Sequence, residues 1–196
     1  MRNSVFDFID NLDTLLAVVV GAMLATGGAL VAELVQDRLG QKRRERDAAR
    51  FFGEILASVD RVLDRAFASM QIGERWGDVT LRLFQTAARE TAIYERNRER
   101  LFEIRDIQLR RLIHTHFLVE TVPLIALIED SEEIASLQKD LSDEANASDE
   151  KRGAILDLLE VKKSNRERAL VSIQAEHAKT EEICKLLEPI AGLKFE

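Results

Sequence analysis

Three histidines and one cysteine are the side chains of this sequence best suited to chemistry. His114-Thr115-His116 sets two imidazoles two positions apart. On a strand both rings would share a face and could hold a metal; on a helix they point about 200° apart. A helical setting therefore makes them two separate histidines. His177, Glu181 and Cys184 follow the i, i+4, i+7 rule of one helical face, and imidazole, carboxylate and thiolate are three of the four ligands zinc accepts. The plainer reading is a histidine at the edge of a packed seam, a surface glutamate and a small buried cysteine. There is no glycine-rich phosphate loop, and no Ser-His-Asp or Cys-His arrangement can be argued from these residues. The expectation is no metal, no cofactor, no catalytic residue and no enzyme.

The elements that carry these residues are organised around Thr14–Ala32, TLLAVVVGAMLATGGALVA, which holds no charge. As a helix at ~1.5 Å per residue it measures about 28 Å, close to the ~30 Å hydrocarbon core of a bilayer. A lone segment in lipid satisfies its backbone only as a helix. Thr14 and Thr26 can bond back to a carbonyl one turn earlier. A cleaved signal peptide would need a basic start and a short apolar core, whereas this start is acidic and its apolar core is long. Arg2 precedes the segment together with Asp7, Asp10 and Asp13; Arg38, Lys42, Arg43, Arg44, Arg46 and Arg50 follow it. Lys and Arg stay on the cytoplasmic side, so the N-terminus is placed outside and the rest within. Lys42, Arg43, Arg44 and Arg46 are read as the topology signal and as contacts to anionic headgroups. Ala17, Gly21, Ala25, Gly28 and Ala32 make one small face, of the kind that lets helices approach closely in lipid.

The net charge of −7 falls wholly after residue 50, because the first fifty residues hold as many acids as bases. A body this acidic lacks the basic face that nucleic acid requires. The single Cys184 suits a reducing compartment. Few glycines and prolines with 46% hydrophobic residues point to helix almost throughout.

Helical stripes divide the remainder. Phe52, Ile55, Leu56, Val59, Val62, Leu63, Ala66, Phe67 and Met70 recur in steps of three and four from Lys42 to about Ile72. Gly73 and Gly77 mark a break around Trp76, read as a buried anchor. A second helix is expected from Asp78 to about Glu120, its stripe continuing through ERNRER to Gln108, Leu112 and Thr115. Pro123 implies a break near Thr121, with a third helix from Pro123 to Leu141. Phe117–Ile128 is too short and interrupted to span, though it could lie on the membrane. Ser142–Glu150 reads as a polar loop with N-cap residues Asn146 and Ser148. The last helix is expected from about Asp149 to Leu187, stopped by Pro189, with Lys162 and Arg166 on its seam facing acids or partly exposed.

The order of an N-terminal span, KRRERDAARFFGEIL, Trp76 and AIYERNRERLFEI is similar to that of a broad set of largely uncharacterised bacterial single-pass proteins with a cytoplasmic helical bundle. The resemblance covers residues 12–110 and carries over no catalytic residue. It implies a bacterial inner membrane. The expected fold is all-α: an external tail over 1–11, a transmembrane helix and its exit over 12–39, and an elongated antiparallel bundle or coiled coil over 40–196 in the cytoplasm. The expected role is a membrane-anchored interaction or scaffold protein. Its partners are the lipid bilayer and either further copies of the chain or another helical protein, with any small-molecule ligand unidentified. The alternative is an oligomeric pore or membrane-perturbing effector.

Overall fold

The computed structural model describes residues 4–143 and 149–195, with side chains from residue 16 onward. Its elements are α1 Ser4–Ile72, α2 Asp78–Arg96, a 3-10 turn Arg98–Glu103, α3 Ile107–Asp143, α4 Asp149–His177 and α5 Thr180–Ala191. No strand occurs among the described residues, and the chain is all-α, a long apolar helix followed by a bundle. It divides into two compact units, one up to Arg44 and one from Glu45 onward. Part of the expected external tail, the side chains of Phe6, Phe8, Ile9 and Thr14, and the expected caps Asn146 and Ser148 lie outside the description.

In the first unit every side chain from Leu16 to Leu39 is exposed. Thr26 Oγ1 donates to the Ala22 carbonyl at 2.8 Å, the back-bond that keeps a hydroxyl satisfied in an apolar helix. Gly40 lies inside the uninterrupted α1.

The second unit is built on the expected stripe of α1. Phe52, Ile55, Leu56, Val59, Leu63 and Ala66 are buried, and α2 supplies Phe84, Ala87, Thr91 and Tyr94. Tyr94 stacks on Phe117 of α3 with centroids 4.0 Å apart and rings 10° from parallel, while Phe52 meets Tyr94 edge-on. Gly53 is the seat for Phe195: a Cβ there would stand 2.0 Å from its ring. Gly192 takes the left-handed conformation at φ 69° and closes α5 through a 2.8 Å bond to Glu188. That turn aims the last residues back at α1.

Three boundaries differ from expectation. The second helix ends at Arg96, not near Glu120. Asn97 Nδ2 donates to the Ile93 carbonyl at 2.8 Å and ends the α2 ladder. A 3-10 turn follows, and Asp106 Oδ1 then caps α3 by accepting from Gln108 and Leu109 N–H at 2.8 and 3.1 Å. The stripe therefore changes phase. Leu109, Ile113, His116 and Phe117 are buried, and Gln108, Leu112 and Thr115 are exposed. The break expected near Thr121 is absent, since α3 runs through Pro123. An interior proline costs about 3 kcal/mol. Burying Leu124 and Leu127 in the turn that follows it, at about 1.5–3 kcal/mol each, offsets it. The last helix is two, broken at Ala178-Lys179, and Pro189 lies inside α5.

At the turn after α1, Trp76, expected to be a buried anchor, is half-buried and packs against the core. Its Nε1 donates to Glu167 at 3.2 Å, and the Arg166 guanidinium sits 4.0 Å over its ring. Lys162 does face acids, bridging Asp130 at 3.1 Å and Glu133 at 2.6 Å on α3.

Candidate functional site

The second unit encloses a cluster of ionisable groups. α3 contributes His116 and Glu120, one helical turn apart. α4 brings Glu176 and His177, the turn after it Lys179, α5 Thr180 and Cys184, and α1 Asp60 and Asp64. His116 and Glu120 are each 1% exposed and Glu176 is 6%. His116 Nδ1 donates to Glu176 Oε1 at 2.9 Å, and Lys179 Nζ donates to Glu176 Oε2 at 2.7 Å. His116 Nε2 has Thr180 Oγ1 at 3.3 Å and Glu120 Oε2 at 3.7 Å. Neither oxygen of Glu120 has a hydrogen-bond partner among the described residues.

The electrostatics follow from that geometry. Burial, reinforced by the negative charges of Glu176 and Asp60, pushes the Glu120 carboxyl up to about 8. It therefore carries its proton at neutral pH. Burial also lowers the basicity of His116, and the bond to Glu176 works against that shift. The neutral state is self-consistent: His116 donates from Nδ1, Glu176 is balanced by Lys179, and Glu120 is a carboxylic acid. Nearby, the His177 ring nitrogens lie 3.1 Å from Asp60 and 3.1 Å from Asp64. Asp60 is raised by burial more than His177 lowers it.

The residues singled out from sequence are placed as follows. His114 and His116 do point apart. His114 Nδ1 shares a 2.6 Å hydrogen bond with the Tyr94 hydroxyl, which burial pushes up to about 12, and His116 enters the buried cluster. The α4–α5 break removes the single helical face on which His177, Glu181 and Cys184 were aligned. Among the described residues no group of three His, Cys, Asp or Glu is placed to hold a metal. Cys184 is 6% exposed, and burial with Asp60, Glu188 and Glu181 nearby pushes its thiol up to about 11. Such a thiol is a weak nucleophile at neutral pH. Ala17, Gly21, Ala25, Gly28 and Ala32 are all exposed, as are Lys42, Arg43, Arg44 and Arg46. Sequence reasoning missed Glu120 and Glu176. The signal was present in Phe117–Ile128, where one acid interrupts the most apolar stretch of the bundle.

A second feature is an open cleft of about 590 Å³ beside the 3-10 turn, lined by Leu101, Phe102 and Ile107 with Arg98, Arg110, Arg111 and His114. Phe102 and Ile107 are 79% and 65% exposed. The Arg105 backbone N–H holds this turn to α1 through Glu45 at 2.9 Å. By length and composition two helices among the described residues are apolar enough to cross a membrane. They are α1, none of whose apolar window is buried, and α3, a third of whose window is buried. No protein-family model, curated protein or solved structure matches this chain.

Proposed function

We propose that this protein is a single-pass, membrane-anchored helical scaffold that associates with itself or another helical protein, held in a bacterial inner membrane with its N-terminus outside. The observation that carries the reading is the bare apolar part of α1. From Leu16 to Ala32 no side chain is charged and every one is exposed. At about 25 cal/mol per Å², so many exposed aliphatic residues are costly in water and favourable in lipid. The charge asymmetry around the stretch supports the orientation. Helix α3 is read as part of the bundle. It packs against α2, α4 and α5 and carries buried His116, Glu120 and Asp130, which hydrocarbon would penalise. The pore alternative is weaker because the Thr26 hydroxyl is already bonded within its own helix, leaving few polar groups to line a channel.

Alkaline carbonate extraction of native membranes, combined with labelling by an impermeant maleimide, tests this reading. The full chain should stay with the membrane, and a cysteine introduced at Asn3 should react from outside in intact cells. Release by carbonate, or reaction at Asn3 only after lysis, would overturn the anchor or its orientation.

A further inference from the structure

Helix α3 is apolar on two sides. Its inner side, from Leu109 through Ile134, packs into the bundle. Its outer side presents Leu118, Val122 and Ile125, which are 49%, 59% and 45% exposed. Arg111 lies two turns before Leu118 and Glu129 two turns after Val122. Both are exposed and make no ion pair among the described residues. At about 100° per residue, Arg111, Leu118, Val122 and Glu129 fall within ~40° of one another, so they form one ridge.

We infer that this ridge is the docking surface for a second copy of the chain, with the two α3 helices antiparallel about a two-fold axis near residue 120. This deepens the self-association proposed above and rests on it. A two-fold contact must be self-complementary, because each patch meets its own copy. The ridge has that property. An axis at residue 120 sets Leu118 against Val122 of the second copy, and Val122 against its Leu118. It also sets Arg111 against Glu129, twice. The charge order along the ridge, basic then apolar then acidic, matches its own reverse. A lipid surface fits less well, since the anionic headgroups that would attract Arg111 would repel Glu129 and the exposed Glu132.

The test uses the full-length protein. Its mass is measured in detergent by light scattering, and Val122→Cys is crosslinked in native membranes with a short bis-maleimide. The copies of residue 122 lie about 6 Å apart along the axis in this arrangement, and native Cys184 is buried. The wild type should be a dimer, and Val122→Cys should crosslink where Val171→Cys, exposed on α4, does not. Arg111→Glu should weaken the dimer on the order of 10-fold, because symmetry makes the substitution act twice. Arg111→Glu with Glu129→Arg should restore it. If the dimer persists in Arg111→Glu and Val122→Cys fails to crosslink, the interface lies elsewhere and only this inference fails. If the chain is monomeric in both detergent and membranes, self-association fails with it. Protection of Val122→Cys by anionic vesicles without crosslinking would assign the ridge to lipid and overturn the inference.

Discussion

Replacing Glu120 by glutamine isolates the cost of keeping one carboxyl away from water. The two side chains are nearly the same size, and at low pH both are neutral. In the folded chain the carboxyl is 1% exposed, without a hydrogen-bond partner among the described residues, and pushed up to about 8 from an ordinary value of 4.5. Because the folded value lies above the unfolded one, folding takes up a proton between pH 4.5 and 8. Stability from this group is fully present below pH 4.5, falls as pH rises toward 8 and is flat beyond. At about 1.4 kcal/mol per pH unit, the wild type gives up about 1 kcal/mol by pH 5, about 3 by pH 7 and about 4 to 5 by pH 9. Glu120→Gln gives up none of it. His116, whose basicity burial lowers, works in the opposite sense, costing stability as pH falls through 6.5, but it does so in both proteins and cancels in the difference. Urea unfolding of the detergent-solubilised protein, followed by circular dichroism at pH 5, 7 and 9, gives that difference directly. The variant should be more stable by an amount that grows with pH across the series. A difference that stays constant from pH 5 to pH 9 would mean that Glu120 is ionised in the folded chain, and the reasoning from burial would be wrong.

Two further outcomes follow from the same geometry. Asp106→Ala removes the carboxylate that caps two N–H groups of α3 and should cost about 1 kcal/mol in the same unfolding assay, whereas Asp140→Ala, exposed late in α3, should be close to neutral. Cys184 should resist a maleimide at pH 7 in the folded protein and react stoichiometrically in denaturant, because burial both covers the sulfur and keeps it protonated; rapid reaction in the folded state would contradict the packing of α5 on α1.

Much of the fold was legible because long helices repeat their signal. The α1 stripe from Phe52 to Ala66 recurs over several turns, and each repeat reinforces the last. Boundaries were harder, because one residue can decide them and two strong local signals can conflict. Pro123 is a strong breaker in isolation, yet α3 passes through it because Leu124 and Leu127 bury against neighbours remote in sequence. The charged run Glu95–Arg100 looks like a good helix surface, yet the chain turns there, since Asn97 and Asp106 bond to the backbone and Leu101 and Ile104 fill the core. That turn displaced the stripe by one residue and hid His116 and Glu120 from the periodicity argument.

The sequence by itself determined the all-α class and the uncharged apolar segment. These depend on composition and short-range spacing, which a single chain displays directly. Tertiary structure alone decided that His116, Glu120 and Glu176 meet. The last of them lies more than fifty residues away on another helix, and its approach depends on how α3 and α4 pack. It also decided which face of α3 turns inward. Leu118 and Val122 are as hydrophobic as Leu124 and Leu127, and only the placement of α2, α4 and α5 buries one pair and leaves the other exposed.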